Sequence, residues 1–183
     1  SDAEGQSFLA MEYVDGERID RWCQTHSLDV RGRIGLFLKV CAAVSYAHER
    51  LVIHRDIKPA NLLVDAAGEP KLLDFGIARL LDGNALLVTA TQAMTPAYAS
   101  PEQIEGKPLG TRSDVWSLGV VLYELLAGAR PFEHLDTDHA RARAILSGVV
   151  TPPSRRIPRV AADQGQASTA RPIGVNRIPA DLD

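Results

Sequence analysis

The sequence is poor in cysteine, in long apolar runs and in charge of one sign, and each shortage excludes a class of protein. Cys23 and Cys41 are its two cysteines, too few for a disulfide framework or a cysteine metal cluster. No apolar run approaches membrane-spanning length, since Glu124 interrupts the stretch 118–126. The net charge of -3 over 183 residues gives no reason to expect nucleic acid or an anionic membrane as partner. Because no signal-peptide pattern opens the chain either, we expect a soluble, cytoplasmic protein with one sizeable core.

The densest group of polar side chains lies in the octet HRDIKPAN, residues 54–61. It places an acid, a lysine and an amide at fixed offsets, as Asp56, Lys58 and Asn61. Pro59 fixes its own φ and restricts Lys58 to extended conformations, so the octet is not a helix interior. Apolar residues lie on both sides, at 51–53 and 62–64, which predicts a loop between two short strands.

A second acid follows thirteen positions after Asn61, in the triplet Asp74-Phe75-Gly76. The turn residues of 65–70 precede it and predict a hairpin that ends at Asp74. Carboxylate and amide oxygens are ligands that Mg²⁺ prefers. The octet and the triplet can therefore gather two carboxylates, an amide and a lysine in one cleft.

HRDIKPAN followed by DFG resembles the catalytic and metal-binding loops of the eukaryotic-like (Hanks-type) serine/threonine protein kinases, most of all the bacterial ones. The resemblance implies an α+β, protein-kinase-like fold that consists mostly of the helical large lobe. Residues 1–15 would be the last small-lobe strand and the hinge, and residues 16–150 an incomplete large lobe. Residues 151–183, rich in proline, glycine and arginine, would be a loop or disordered segment that leads to a truncated helix.

The resemblance also implies roles for the polar residues. Asp56 would accept the proton of the substrate hydroxyl, and Lys58 would sit close to the transferred phosphoryl group. Asn61 and Asp74 would hold Mg²⁺. Thr95 matches the threonine that bridges the catalytic acid and lysine in Ser/Thr kinases, and it favours hydroxyl over phenol acceptors. The implied cofactors are ATP and Mg²⁺, and the implied partner is a protein substrate with a serine or threonine acceptor.

The implied nucleotide site lies at the start of the chain. The apolar run of residues 8–14, closed by Asp15-Gly16, predicts a strand that ends in a turn. Taken alone, the run would indicate an ordinary edge strand, but the resemblance places the hinge here. The implied nucleotide-binding residues are the gatekeeper Met11, the backbone of Glu12 and Val14 at the adenine edge, and Leu63.

Residues 77–99 have few periodic apolar positions and several hydroxyls, which predicts a mobile loop. It corresponds to the kinase activation loop. Arg55 and Arg79 would form a phosphate pocket, because two guanidiniums offer charge-assisted hydrogen bonds to a phosphate. Thr89 and Thr91 are the candidate phosphorylation sites, and plain solvated threonines remain an equal alternative.

Two long helices are predicted on either side of these loops. Residues 27–50 have the helical period, with Ser27 as a candidate cap and Asp29 placed to complement the helix dipole. The predicted core positions of this helix are Ile34, Phe37, Leu38, Cys41, Val44 and Ala47. Residues 113–128 predict a buried helix, capped by Ser113 or Asp114 and ended by Gly128. In the resemblance Asp114 holds the backbone of the catalytic loop, and residues 137–147 add a shorter helix.

The sequence also departs from the family pattern. Met94 stands where many relatives have glycine, and Ser100 replaces the alanine of the usual APE triplet. The glutamate of that triplet is Glu102, and we expect it to lack its arginine partner. The first lysine is Lys39, so no glycine-rich loop, strand lysine or paired glutamate precedes the hinge. We therefore expect a Ser/Thr kinase parent and an inactive isolated chain.

Two rival functions remain. One is a catalytically silent fragment or a pseudokinase-like binding module, which the intact acids disfavour for the parent. The other is a small-molecule kinase of the aminoglycoside phosphotransferase type. Such enzymes normally lack the Lys-Pro of the octet, the segment TPAYASPE (95–102) and the helix SDVWSLG (113–119) that this chain carries.

Overall fold

The computed structural model describes residues 12–74 and 97–155. It consists of short strands and helices in the order β1 Gly16–Arg18, α1 Ile19–Thr25, α2 Val30–Glu49, a 3₁₀ turn Pro59–Asn61, β2 Leu62–Asp65, β3 Pro70–Leu72, α3 Pro101–Ile104, α4 Thr111–Ala127, α5 Asp138–Ser147 and a 3₁₀ turn Pro153–Arg155. The mixture of helix and sheet agrees with the predicted α+β class. No helix in these two ranges is both long and apolar enough to cross a bilayer.

Helix α2 begins one turn later than the sequence pattern predicted. Asp29 is its cap, and the carboxylate accepts a hydrogen bond from the Gly32 amide at 2.8 Å. The prediction of Ser27 as cap is wrong, because Ser27 has a φ of 50° and lies in the turn before the helix. Leu38, a predicted core position, is instead 60% exposed. The buried side chains of α2 are Arg33, Leu36, Phe37, Val40, Val44 and Ala47.

The buried face of α2 differs from the predicted one, and it includes a charged side chain. Arg33 is buried, and its guanidinium donates to the carbonyl oxygens of Leu28 and Leu125 at 2.9 and 2.7 Å. A buried cation is tolerated when its donors find acceptors. Arg33 thus links α2 to the end of α4.

Helix α4 is the centre of the core. Val121 and Leu125 are at most 1% exposed and belong to the same cluster as Val40 and Val44 of α2. Burial of each such side chain contributes about 2 kcal/mol of transfer free energy. The helix ends as predicted at Gly128, whose φ of 71° is left-handed. It begins at Thr111, so the predicted caps Ser113 and Asp114 instead lie in its first turn, after the N-cap Gly110.

The three strands form one antiparallel sheet in the order β1-β2-β3. The predicted hairpin of β2 and β3 is confirmed, although its second strand ends at Leu72. Gly16 of β1 has to be small, because a Cβ there would lie 2.8 Å from the Val64 oxygen. Two strand predictions fail where the structure can be compared: residues 51–53 and residues 12–14 form no regular secondary structure. Residues 1–11 lie outside the described ranges.

Candidate active site

The loop of residues 51–61, which we call the catalytic loop, is held by hydrogen bonds to Asp114 of α4. The carboxyl of Asp114 is buried and accepts the amides of His54 and Arg55, each at 2.8 Å. His48 Nε2, at the end of α2, lies 2.8 Å from the same carboxyl. The sequence-based expectation that Asp114 holds the loop backbone is confirmed, and His48 has a structural place.

His54 joins the catalytic loop to the segment that carries Asp74. Its ring is 1% exposed, and Nε2 lies 2.7 Å from the Leu73 carbonyl while Nδ1 lies 3.3 Å from the Asp56 amide. A carbonyl can only accept and an amide can only donate, so the neutral ring carries its proton on Nε2. Burial lowers the pKa of His54 and outweighs the Leu73 carbonyl and the carboxylates of Asp114, Asp56 and Asp74.

Asp56, Lys58 and Asn61 form one polar cluster. Lys58 Nζ lies 2.7 Å from Asp56 Oδ2. Asn61 Nδ2 donates to the carbonyl oxygen of Asp56 at 2.8 Å and to its Oδ2 at 3.2 Å. Pro59 starts the 3₁₀ turn, and Lys58 before it is extended, as predicted. The Asp56 carboxyl group therefore lies beside a cation and an amide donor.

The backbone of the second acid lies beside this cluster. The Leu73 amide donates to the Asn61 carbonyl at 2.9 Å, which brings the next residue, Asp74, next to the 3₁₀ turn. Asp74 has an exposed side chain and a left-handed φ of 53°. Asp56 and Asp74 are both close enough to His54 for their charges to act on its pKa. The donor set offers a carboxylate and an amide to a hard cation, which fits Mg²⁺ shared with phosphate oxygens.

Residues 97–104, which we call the docking segment, pack against α4. The hydroxyl of Tyr98 donates to Glu124 Oε2 at 2.6 Å, and Ser117 Oγ donates to the Tyr98 carbonyl at 2.9 Å. Burial raises the pKa of Tyr98, and the Glu124 carboxylate adds to the rise. Burial also raises the pKa of Glu124, against the hydrogen bond from Tyr98. The sequence analysis missed this pair, because no local pattern marks a contact between residues 26 positions apart.

The departure at Ser100 has a structural use. Its hydroxyl caps α3 by accepting the Gln103 amide at 3.3 Å. The expectation that Glu102 lacks its arginine partner stays a prediction, and within the described ranges its carboxylate accepts a hydrogen bond from Ser113 Oγ at 2.6 Å. Burial raises the pKa of Glu102, but the Ser113 hydroxyl and further hydrogen bonds bring it below its ordinary value.

The remaining predicted residues are only partly described. Glu12 and Val14 lie before β1, and Leu63 is half-buried in β2. An open cavity of about 510 Å³ lies beside these strands, lined by Asp15, Trp22 and Leu63 among others. Five further predicted residues lie outside the described ranges: Met11, Arg79, Thr89, Thr91 and Thr95.

Comparison with known proteins gives a consistent family. Residues 2–166 match the family model of the protein kinase domain. The probable serine/threonine-protein kinase PknB of Bifidobacterium longum is 41% identical over 160 residues, which is 86% of this chain and 23% of the relative. Serine/threonine-protein kinase PknB of Mycolicibacterium smegmatis is 41% identical over 152 residues, which is 81% of this chain and 24% of the relative. The chain thus spans about a quarter of the length of these curated relatives.

Proposed function

The chain belongs to the protein kinase family, and on that premise we propose that the protein carrying it transfers the γ-phosphate of ATP to serine or threonine hydroxyls of a protein substrate. The observation that carries this proposal is the catalytic loop, where Lys58 Nζ lies 2.7 Å from Asp56 Oδ2 and Asn61 Nδ2 donates to the same oxygen at 3.2 Å. The similar bacterial proteins are named serine/threonine kinases, which agrees with the proposed acceptor.

Each residue of the cluster has a part that its chemistry suits. Asp56 accepts the proton of the attacking hydroxyl, since its carboxyl group is 36% exposed and within reach of a substrate. Lys58 offsets the negative charge of the phosphoryl group during transfer. We assign Thr95, which lies outside the described ranges, to the bridge between the acid and the lysine. Phosphoryl transfer depends mostly on positioning and charge neutralisation, and the groups of this loop suit that part of the chemistry.

Asn61 and Asp74 would hold Mg²⁺, which, when bound, neutralises charge on the phosphates of ATP. The adenine would lie against Leu63 and the hinge residues Met11, Glu12 and Val14. The protein side of this site offers one carboxylate and one amide, a donor set that suits a cation held jointly with a nucleotide.

Control by loop phosphorylation is supported by Arg55. Its Nε is buried and has no hydrogen-bond partner in the described part of the chain. A buried guanidinium N–H without an acceptor favours a phosphate as its partner. We assign Arg55 and Arg79 to a phosphate pocket for a phosphorylated Thr89 or Thr91.

The experiment is a γ-phosphate transfer assay on the full product of the gene that encodes this chain, with a generic basic protein as acceptor. Asp56→Asn should lower kcat by about a hundredfold or more, because the general base is lost. Asp136→Asn, at an exposed position away from the cluster, is the matched control and should leave kcat unchanged. Transfer that survives Asp56→Asn would contradict the proposal, and a parent without transfer would favour a binding module instead.

A further inference from the structure

Gln103 is a buried side chain that uses both ends of its amide. It lies in α3 at 5% exposure. Its Oε1 accepts the backbone amide of Ser100 at 2.8 Å, at the start of α3. Its Nε2 donates to the backbone carbonyl of Arg55 at 2.9 Å, in the catalytic loop. One side chain thus joins the docking segment to a loop 48 positions earlier in the chain.

The two contacts fix the orientation of the amide. A backbone N–H can only donate and a backbone carbonyl can only accept, so Oε1 has to face Ser100 and Nε2 has to face Arg55. A glutamate at this position would retain the acceptor but lose the donor. A methionine of similar size would lose both. The pair of contacts therefore depends on glutamine chemistry and not only on its volume.

The partner carbonyl belongs to a residue whose backbone needs support. Arg55 has a left-handed φ of 71°, which a residue with a Cβ rarely adopts. Its amide is bound by Asp114 Oδ1, and its carbonyl is bound by Gln103 Nε2. The backbone of Arg55 is therefore held at both its amide and its carbonyl, immediately before Asp56.

We propose that Gln103 is a positioning residue that couples the order of the docking segment to the orientation of Asp56. The inference rests on the proposed function, because it takes Asp56 as the group that receives the substrate proton. When α3 is in place, Gln103 supports the conformation of Arg55. When the docking segment is displaced, the Arg55 carbonyl loses its donor and Asp56 loses its fixed direction.

The test compares three variants of the full gene product. Gln103→Met removes both amide contacts, and Gln103→Glu removes only the donor to Arg55. Ser100→Ala removes the hydroxyl cap of α3 but retains the contact between Gln103 and Arg55, so it is the matched control. Hydrogen exchange of the peptide covering the catalytic loop is measured together with kcat and the KM for ATP.

Both Gln103 variants should speed exchange in the catalytic loop by about tenfold, whereas Ser100→Ala, which keeps the contact between Gln103 and Arg55, should speed loop exchange by less than about threefold. They should also lower kcat, per folded molecule, by about tenfold or more, with the KM for ATP changed by less than about threefold. Unchanged loop exchange in both Gln103 variants, an equal loop effect in Ser100→Ala, or a kcat that does not fall would each overturn the inference. Parent transfer that survives Asp56→Asn would overturn the proposed function instead, and the exchange measurement would still decide whether the contact exists.

Discussion

The catalytic loop and the hairpin of β2 and β3 are neighbours in the chain, but they are held in different ways. The hairpin is held by backbone pairing, with Leu62 opposite Leu72 and Val64 opposite Pro70. The loop has little backbone pairing of its own. Its amides and carbonyls are bound instead by side chains from distant elements, above all Asp114 and Gln103. A repeated ladder tolerates the loss of one contact, whereas a loop held by single side chains does not.

The difference extends to backbone strain. The catalytic loop contains two non-glycine residues with left-handed φ, Leu51 at 59° and Arg55 at 71°. The hairpin turn places glycine at its left-handed position, Gly68. Strain at non-glycine residues persists only where the surroundings determine the conformation. The loop therefore depends on its supporting side chains, and four substitutions can break or sharpen the contrast.

The largest effect is expected at Asp114. Asp114→Ala leaves two backbone amides and His48 without their shared acceptor in a buried site. The free energy of unfolding should fall by about 3–5 kcal/mol. Urea denaturation followed by tryptophan fluorescence measures it, with the exposed Asp136→Ala as control. A loss below about 1 kcal/mol would show that the loop does not depend on this carboxylate.

How far the sequence predicts these features depends on how local their causes are. Gly128, Pro59 and the turn of 65–70 act through their own φ preferences, so the end of α4, the extended Lys58 before Pro59 and the hairpin were all predicted. The apolar residues 51–53 misled the strand prediction, because their backbone instead closes α2. The amides of Leu51 and Val52 donate to the His48 and Ala47 carbonyls.

The contacts that shape the site are the part that a single sequence does not show. Asp114 was found only because the family resemblance assigns it a role. Gln103 reaches a carbonyl 48 positions earlier in the chain, and neither partner shows this in its local pattern. The core face of α2 was misplaced for the same reason, since Arg33 is buried only by virtue of carbonyl acceptors from other segments.

The second prediction concerns His54, which links the loop to Leu73. His54→Phe removes the donor to a part-buried carbonyl and should lower the free energy of unfolding by about 1–3 kcal/mol near neutral pH. Urea denaturation at about pH 7.5 gives this value, and a loss within error would remove His54 from the set of supporting side chains.

The same variant also tests how the free energy of unfolding depends on pH. Burial holds the folded-state pKa of His54 below the ordinary 6.5, so the unfolded chain takes up the proton first. The stability that neutral His54 contributes is complete above about pH 6.5 and is lost as the pH falls below it. Between about pH 7.5 and about pH 5.5, the free energy of unfolding should therefore fall more in the unsubstituted protein than in the His54→Phe variant. Equal losses would mean that His54 is not held neutral.

The third prediction is a substitution in the catalytic loop that stabilises the protein. Leu51 is 92% exposed and has a left-handed φ, so its side chain contributes little contact while its Cβ causes strain. Leu51→Gly should raise the free energy of unfolding by about 0.5–1 kcal/mol, the relief of strain minus the added entropy of the unfolded chain. Thermal denaturation measures it, with Val149→Gly as control, because Val149 is also exposed, at 77%, but has no left-handed φ. Destabilisation at Leu51 would show that its side chain has a contact partner.

The smallest effect is expected at the hairpin turn, where Lys39 of α2 pairs with Glu69. Both side chains are about half exposed, so water replaces either partner when the other is removed. Lys39→Met should change the free energy of unfolding by no more than about 0.5 kcal/mol, and high salt should erase the difference. The hairpin retains its ladder without this pair, whereas the catalytic loop has no ladder to retain when Asp114 is lost. A loss at Lys39 as large as that at Asp114 would therefore show that the hairpin, too, depends on single side chains.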